Sequence, residues 1–416
     1  MFWVLKNMAV PSFAKMTNPF NVFKLTPSYT RAIIVLLIAL SAILIGFSCY
    51  TLPEYEYKAP EKVNNDWQTA TIDEVGLDTQ ILSKLIARIH ADKYKNIHSI
   101  LIVKNGKLVL EEYFGGHRFL YSADQCKGEF IEFGKDTLHN TQSVTKIITS
   151  TIIGIAIDKG FIKNVDEKVF SFFPKYSHLN NEKKAKITIE HLLTMTSGLE
   201  WNEMDVDLKD PSKNDVVRLF EVDDPIEYIL AKPIVAEPGT RWYYSGGDVI
   251  LLGEIIKSAI GMNITEFAIG HFFKPLGITD VVWIKLTSEV ISTQGGIYMR
   301  PRDMAKIGQL YLNNGVWDGK QIISKEWIDE SIKTHAKITN PDWRKLEGHS
   351  YGYHWFFRTY RSGTKDYKAI LRSGWGGQLI GVFPEVDMVV VFTGGNYTSP
   401  VPVHKIITDY ILPSVQ

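Results

Sequence analysis

A serine placed three residues before a lysine could supply a nucleophile together with its base, and the chain has three such pairs. They are Ser12 with Lys15, Ser143 with Lys146, and Ser362 with Lys365. A serine hydroxyl becomes an effective nucleophile only when a neighbouring base removes its proton. This spacing arises by chance about once or twice in a chain of this length. The surrounding sequence must therefore select among the three pairs.

The stretch T-Q-S-V-T-K-I-I-T-S, residues 141–150, gives the Ser143 pair the most suitable context. It opens an almost wholly apolar run that ends at Gly160, which predicts a buried helix with a glycine at its C-terminus. Residues three apart share a helix face, so Ser143 and Lys146 can be neighbours. The free N–H groups of a helix start would also stabilise negative charge that develops there. The alternative is a serine cap followed by a lysine that extends to solvent.

The other two pairs lie in less suitable contexts. Ser362 and Lys365 belong to the polar stretch R-T-Y-R-S-G-T-K-D-Y between predicted strands. Ser12 and Lys15 precede an uncharged apolar run, 32–50, whose length is close to the ~20 residues that cross a bilayer as a helix. The residues before that run include lysines and an arginine but no acid. This asymmetry predicts a cytoplasmic N-terminus with the remaining chain outside.

These patterns predict four segments of the chain: a cytoplasmic segment 1–31, a transmembrane anchor 32–50, a polar linker 51–75 and one globular domain 76–416. The expected location is the inner membrane, single-pass, with the globular domain periplasmic or extracellular. A cleaved signal peptide and a lipidated Cys49 are the alternatives to the anchor.

Composition excludes several functional classes. The chain is 45% hydrophobic and 22% charged, with a formal net charge of zero and two cysteines. This is globular composition without the basic excess that indicates nucleic-acid binding. Two cysteines cannot build a disulfide framework. The sequence has no close histidine pair for a metal, no glycine-rich phosphate loop and no G-x-S-x-G elbow, so we expect neither a metal nor a cofactor.

The coarse pattern of elements predicts an α/β region joined to an all-helical region. Asn105-Gly106 between apolar runs predicts a β-hairpin over 98–114, after a helix at 81–90. The predicted helices that follow the Ser143 helix are 189–195, 225–230, 249–260 and 304–313. The chain then returns to strands at 351–357, 369–371, 378–383 and 388–393, before a final helix at 402–411. Strands from both chain ends should form one antiparallel sheet with flanking helices and a helical insertion at about 150–310.

Five stretches in a fixed order carry a family resemblance. After S-V-T-K come H-L-L-T-M-T-S-G-L (191–199), P-G-T-R-W-Y-Y-S-G-G-D-V-I-L-L-G (238–253), G-G-I-Y-M-R-P-R-D-M-A-K-I-G-Q-L-Y-L-N-N-G (295–315) and S-G-W-G-G-Q (373–378). Together they resemble the serine β-lactamase and penicillin-recognising hydrolase family. The closest resemblance is to its class C-like branch, with esterases, D-aminopeptidases and 6-aminohexanoate-dimer hydrolase. The resemblance covers about 76–413 and implies the β-lactamase/transpeptidase-like fold.

The resemblance implies a role for each matching residue. Ser143 is the acylated nucleophile, Lys146 its proton partner, and Tyr244 the tyrosine that passes protons to the leaving group. Tyr243 takes this role if the register is shifted by one residue. His191 is expected to be structural rather than catalytic.

The same resemblance places Trp375-Gly376-Gly377 at the family's Lys/His-Thr-Gly strand. The backbone N–H of Gln378 is then expected to pair with that of Ser143 as an oxyanion hole. Glycine at 376 and 377 would let a substrate backbone approach closely.

The sequence departs from the family pattern at two positions that bear on the substrate. Gly246 replaces an asparagine, and Trp375 replaces a cationic or histidine side chain that meets a substrate carboxylate in the family's β-lactamases. An indole offers an apolar face instead, which favours esters or small amides. Trp201 is expected at the cleft rim, and Arg372 could restore a positive contact if its side chain points inward.

Two other functions stay open at this point. One is a DD-peptidase or β-lactamase that acts on cell-wall peptides or penicillins. The other is a catalytically inactive binding protein on the same fold. A small-molecule ester or amide remains the expected partner.

Overall fold

The hairpin predicted around Asn105-Gly106 begins the central sheet of the computed structural model, which describes residues 55–63, 66–204, 210 and 212–416. Strands β1 (Ile97–Lys104) and β2 (Lys107–Tyr113) pair in an antiparallel register. Asn105 and Gly106 have φ values of 53° and 72°. Two consecutive left-handed residues twist a two-residue turn in the same sense as the strands. This part of the sequence prediction is confirmed.

The remaining strands complete one large antiparallel sheet and three small ones. They are β3 (Gly115–Phe119), β4 (Lys127–Glu132), β5 (His139–Asn140), β6 (Val282–Trp283), β7 (Ile297–Met299), β8 (Val316–Trp317), β9 (Lys320–Gln321), β10 (Ala336–Lys337), β11 (Ser350–Tyr351), β12 (Phe356–Ser362), β13 (Lys365–Gly374), β14 (Gln378–Phe383) and β15 (Met388–Gly394). The large sheet has the order β10-β11-β12-β13-β14-β15-β1-β2. Strands from the two ends of the domain therefore meet where β15 pairs with β1, as predicted.

The described residues also form α-helices, several of which build the helical insertion. They are α1 (Thr79–His90), α2 (Thr145–Asp158), α3 (Ile189–Leu193), α4 (Asp215–Arg218), α5 (Pro225–Ala231), α6 (Gly246–Ile260), α7 (Ile264–Ala268), α8 (Pro301–Leu312), α9 (Lys325–Ser331), α10 (Pro341–Leu346) and α11 (Val403–Ile406). Leu101 and Val103 of β1 join the core shared with α2 and α6. Ile100 and Ile102 join the core under α1 and the C-terminal helical segment. Because side chains alternate along a strand, burial on both sides explains why β1 is almost wholly apolar.

Two predicted boundaries change in the structure. The described part of the predicted linker 51–75 packs on the domain: the Tyr57 hydroxyl donates to Val109 O at 2.7 Å, and Trp67 is 3% exposed. The predicted insertion to about 310 is also too long, because α8 packs directly on the sheet. A Cβ atom on Gly308 would lie 2.5 Å from Val389 Cγ1 of β15. Contacts with strands β2 and β15 therefore place both segments with the sheet.

The predicted segments 1–31 and 32–50 lie outside the described residues. Within the ranges that are described, no helix is both long enough and apolar enough to cross a bilayer.

Candidate active site

Ser143 lies in a single 3₁₀ turn, Gln142–Val144, that leads directly into α2. Gln142 has φ of 49°, which is a strained backbone conformation for a residue with a side chain. The Gln142 N–H donates to Asn140 Oδ1 at 2.8 Å, and this hydrogen bond helps hold the turn. The helix then presents Ser143 half-buried and Lys146 only 1% exposed.

The Ser143 hydroxyl receives two hydrogen bonds from side chains that the sequence assigned to it. Lys146 Nζ lies 3.1 Å from Ser143 Oγ, and the Tyr244 hydroxyl donates to the same oxygen at 2.8 Å. Ser143 and Tyr244 are 101 residues apart. The fold therefore brings the three predicted catalytic residues into one cluster.

The Lys146 side-chain nitrogen is held by groups on three sides. It donates to Gln294 O at 2.6 Å, and it lies 4.9 Å from the centre of the Tyr244 ring. Among the described residues, its one side-chain oxygen partner is Ser143 Oγ. These contacts orient the lysine toward the nucleophile and not toward solvent, so the structure does not support the alternative of a lysine that extends to solvent.

Tyr244 precedes α6, and the local sequence explains its position. Ser245 is the N-cap of this helix, and its Oγ accepts from the Asp248 N–H at 3.1 Å. An extended N-cap residue turns the chain sharply into the helix. Tyr244 therefore points toward Ser143, whereas Tyr243 lines a neighbouring cavity with its ring 5.4 Å from the Arg241 guanidinium. The structure selects Tyr244 over the fallback residue.

Arg372 supplies the positive charge whose direction the sequence left open. Its side chain is 0% exposed. Nη2 donates to the Tyr244 hydroxyl at 2.8 Å, and Nε donates to Ser143 O at 2.7 Å. Nη1 donates to the Tyr351 hydroxyl at 3.1 Å. The cation at this strand is therefore Arg372 and not the residue at 375, and it binds the phenol that contacts the nucleophile.

Gly374, two residues along the same strand, lies against the nucleophile's backbone. A Cβ atom there would lie 3.1 Å from Ser143 N and 2.7 Å from Thr141 O. Only glycine permits this approach. Neither the Ser143 N–H nor the Trp375 N–H donates a hydrogen bond within the described part of the chain. One unused donor therefore belongs to Ser143 itself, and the other belongs to the residue that follows Gly374.

No hydrogen bond among the described residues joins Gln378 to Ser143. Gln378 pairs with Gly374 across the β13–β14 turn, and its side-chain amide donates to Trp375 O at 3.0 Å and Gly394 O at 2.8 Å. Gly376 and Gly377 form the turn itself with φ of 90° and 98°. A Cβ atom on Gly376 would lie 2.4 Å from the Tyr397 ring. The turn and its packing against Tyr397 require glycine at these positions, and the contact with a substrate backbone stays a prediction.

The Trp375 ring is half-exposed and packs edge-on against Phe119 and Tyr397, with centroids 5.7 and 5.2 Å away. Its indole N–H donates to Tyr397 O at 2.9 Å. The ring thus presents an apolar surface, as predicted from its type.

A cavity of 220 Å³ opens beside Tyr244 and is lined mainly by aromatic and polar side chains. Trp343 of α10 stacks on the Tyr244 ring with centroids 4.6 Å apart. Arg241 and Asn340 also line the cavity. The cavity therefore adjoins the group that would deliver protons and is large enough for a small substrate moiety.

Glu203 is a buried carboxyl group of this cavity that sequence reasoning missed. It is 7% exposed, and its Oε2 accepts from Trp201 Nε1 and from the Gly246 N–H, each at 2.6 Å. Burial raises the pKa of Glu203, while the Lys146 charge and the two N–H donors act in the opposite direction. Several acids lie near position 203 in the sequence, and no local pattern distinguishes this one. Trp343 was also missed, because no local pattern in the sequence distinguishes it from the other tryptophans.

Two predicted roles change with this arrangement. Trp201 is 1% exposed and holds Glu203, so it lies beneath the cavity and not at the rim. A Cβ atom on Gly246 would lie 2.7 Å from Glu203 Oε2, so the missing side chain is replaced by a carboxyl group from another segment. His191 forms a capping box with Thr188 at the start of α3, as expected for a structural residue.

The site contains no arrangement that suggests a metal. In the ranges that the structure describes, no group of three or more histidine, cysteine or acidic side chains is placed to hold an ion. The chemistry available is that of a serine, an amine, a phenol and backbone N–H groups.

Comparisons with known proteins agree with this geometry. The family model described as Beta-lactamase matches residues 98–405. A Salmonella typhi protein provisionally named a D-alanyl-D-alanine carboxypeptidase is 23% identical over 397 residues, covering 81% of this chain and 88% of that protein. A Bacillus anthracis structure provisionally named a 6-aminohexanoate-dimer hydrolase has a TM-score of 0.64 at 20% identity, covering 85% and 88% of the two chains. A family VIII carboxylesterase structure has a TM-score of 0.60 at 17% identity, covering 85% and 100%. The chain therefore belongs to the beta-lactamase family and is a serine hydrolase with the β-lactamase/transpeptidase-like fold.

Proposed function

We propose that this hydrolase cleaves esters or small amides through an acyl-enzyme formed on Ser143. The observation that carries the proposal is the double contact on Ser143 Oγ, from Lys146 at 3.1 Å and from Tyr244 at 2.8 Å. A hydroxyl placed between an amine and a phenol can lose its proton to one and return a proton through the other.

The first half-reaction forms the acyl-enzyme. Neutral Lys146 takes the hydroxyl proton while Ser143 Oγ bonds to the substrate carbonyl carbon, and the carbonyl oxygen becomes an anion. The unused N–H groups of Ser143 and Trp375 support this oxyanion, and two such donors stabilise it by several kcal/mol. We therefore assign the second donor to Trp375 in place of Gln378. The bond to the leaving group then breaks, and the Lys146 proton passes through the Tyr244 hydroxyl to that group.

The second half-reaction releases the acid. Water attacks the acyl carbon, gives its proton to the Lys146–Tyr244 pair, and the bond to Ser143 Oγ breaks as the serine regains a proton. Arg372 donates to the Tyr244 hydroxyl at 2.8 Å, which stabilises the phenol oxygen whenever it carries negative charge.

We infer a preference for uncharged substrates from the complete burial of Arg372. Its guanidinium is 0% exposed and already donates to Ser143 O, Tyr244 and Tyr351. It is therefore not free to bind a substrate carboxylate. The apolar surface of Trp375 next to the proposed oxyanion donor favours uncharged esters and small amides.

Arg241 at the edge of the cavity favours the alternative function of a DD-peptidase or β-lactamase. Its side chain is exposed and lines the cavity next to Tyr243, where it could meet a carboxylate of a cell-wall peptide or penicillin. The second candidate function is therefore a DD-peptidase or β-lactamase, and a catalytically inactive binding protein is the third.

The test measures hydrolysis of ester, amide and β-lactam panels by the wild type, by Ser143→Ala and by Ser362→Ala. Ser362 belongs to another serine–lysine pair and is the matched control. We expect loss of ester hydrolysis and of fluorophosphonate labelling only in Ser143→Ala. Unchanged ester hydrolysis in Ser143→Ala would contradict the proposal. Absence of labelling in the wild type would favour the inactive protein, and rapid β-lactam turnover would favour the second candidate.

The apolar run 32–50 supports the additional proposal that the chain is anchored in the inner membrane with the domain outside. Membrane fractionation of the full chain, with protease added to intact cells, tests this. Recovery of the full chain in the fraction without membranes would refute it.

A further inference from the structure

One oxygen of Glu203 has no hydrogen-bond partner among the described residues, although the side chain is more than nine-tenths buried. The side chain is 7% exposed, and both of its hydrogen bonds, from Trp201 and Gly246, end on Oε2. Oε1 accepts no hydrogen bond from the described residues. The side chain lines the 220 Å³ cavity beside Tyr244, so a group that enters this cavity can reach the oxygen.

The unpartnered oxygen has a fixed orientation. Two N–H donors at 2.6 Å hold Oε2, and the ring of Trp201 packs under Gly247, where a Cβ atom would lie 2.7 Å from it. The carboxyl group cannot turn without breaking both bonds. Oε1 is therefore a preorganised acceptor, which lowers the cost of ordering a ligand against it.

The charges around the cavity select the kind of ligand group. Arg241 lines the same cavity, and the charges of Lys146 and Arg372 are both close enough to act on the Glu203 carboxyl. A cationic group that entered would be repelled by the permanent charges of Arg241 and Arg372. A neutral N–H or O–H group avoids that repulsion and still satisfies the acceptor.

We propose that Glu203 is a specificity-determining residue whose Oε1 accepts a hydrogen bond from a neutral N–H or O–H group of the substrate moiety bound in the cavity. This inference rests on the proposed function, because the moiety belongs to the ester or amide that Ser143 attacks. It narrows the substrate class to esters and amides that carry a hydrogen-bond donor near the scissile carbonyl.

The experiment uses two matched ester pairs, each differing only by N–H against N–CH₃. The p-nitrophenyl esters of N-acetylglycine and N-acetylsarcosine place the difference in the acyl half. The acetate esters of N-acetylethanolamine and N-acetyl-N-methylethanolamine place it in the alcohol half. The wild type should prefer the N–H member of one pair by about ten- to hundred-fold in kcat/KM, as expected for a hydrogen bond to a charged group.

Glu203→Gln reverses the polarity at the proposed contact. Trp201 and Gly246 donate to the Oε2 position, so the amide oxygen of glutamine must occupy it, and the NH₂ group then faces the cavity. We expect the preference for the N–H ester to fall to near one while hydrolysis of the N-methyl ester continues. An unchanged ratio in Glu203→Gln, or ratios near one for both pairs in the wild type, would overturn the inference.

A measurement on the wild type covers the case in which Glu203→Gln does not fold. Burial raises the pKa of Glu203, so acidification should remove the acceptor at a pH above the usual carboxyl range near ~4.3. The preference for the N–H ester should therefore decline as pH falls toward that range, and a constant ratio from pH 8 to pH 4 would overturn the inference. If the wild type hydrolyses none of the four esters, or if Ser143→Ala hydrolyses them equally well, the proposed function itself fails.

Discussion

The Tyr244 hydroxyl offers the sharpest test of the mechanism, because it contacts the nucleophile and a buried cation at once. Tyr244→Phe removes a donor 2.8 Å from Ser143 Oγ and an acceptor 2.8 Å from Arg372 Nη2. The ring itself stays, together with its stack on Trp343 at 4.6 Å. The change therefore isolates the hydroxyl from the packing.

Tyr244→Phe should lower both the reaction rate and the unfolding free energy, and the structure indicates the size of each loss. A positioned proton-transfer group contributes about 10²- to 10⁴-fold in rate, which corresponds to about 3–5 kcal/mol of transition-state stabilisation. The Arg372 guanidinium also loses an acceptor at a position that is 0% exposed, which costs about 1–3 kcal/mol of unfolding free energy. That loss is smaller than the ~5–15 kcal/mol typical of folded proteins. We therefore expect a folded protein with severely reduced kcat and little change in KM.

The assay is kcat and KM on ethyl acetate, whose alkoxide leaving group needs a proton, together with urea unfolding. Tyr243→Phe is the matched control, because it removes a phenol one residue away whose ring lies by Arg241, and it should keep kcat within about threefold. If Tyr244→Phe keeps kcat within threefold of the wild type, or if both variants lose it equally, the assignment of Tyr244 as the proton relay is refuted.

Two further predictions concern stability. Burial raises the pKa of Asp248 to about 7, so between pH ~4 and 7 the folded chain holds a proton that the unfolded chain releases. The unfolding free energy should fall as pH rises through this window, by up to about 1.4 kcal/mol per pH unit. Asp248→Asn should make that fall smaller, and urea unfolding at pH 5 and pH 8 that shows the same difference in both proteins would contradict it. Gly154→Ala places a Cβ atom 2.4 Å from the Trp327 ring and should lower the unfolding free energy by about 1–3 kcal/mol through overpacking. The control is Gly270→Ala, where nothing lies within 4 Å of the added atom. Equal melting temperatures of the two variants would refute the prediction.

Features that depend on neighbouring residues were predictable from the sequence. The apolar run after Ser143 predicts a buried helix, and three-residue spacing places Lys146 on the face of Ser143. Asn105-Gly106 predicts a hairpin because few residues adopt left-handed φ values without strain. The order of the family motifs added Tyr244, a residue that spacing alone cannot connect to Ser143.

The register of the cleft strand was not predictable in the same way. A shift of one residue moves every side chain to the opposite face of a strand. The sequence interpretation placed the cleft contacts at Trp375 to Gln378, whereas the structure directs Arg372 and Gly374 toward Ser143. Residues two apart share a face, which explains why both reach the site while Ser373 points away to Glu347.

By itself, then, the sequence predicted that Ser143, Lys146 and Tyr244 would form one cluster, and that a sheet would be assembled from both ends of the domain. These follow from local helix and turn chemistry and from motif order. Only the tertiary structure decided which strand residue supplies the cation and that Glu203 lies against the bare backbone of Gly246. Such contacts join segments some 40 residues or more apart, and they depend on how the packed core orients each segment, which local sequence does not specify.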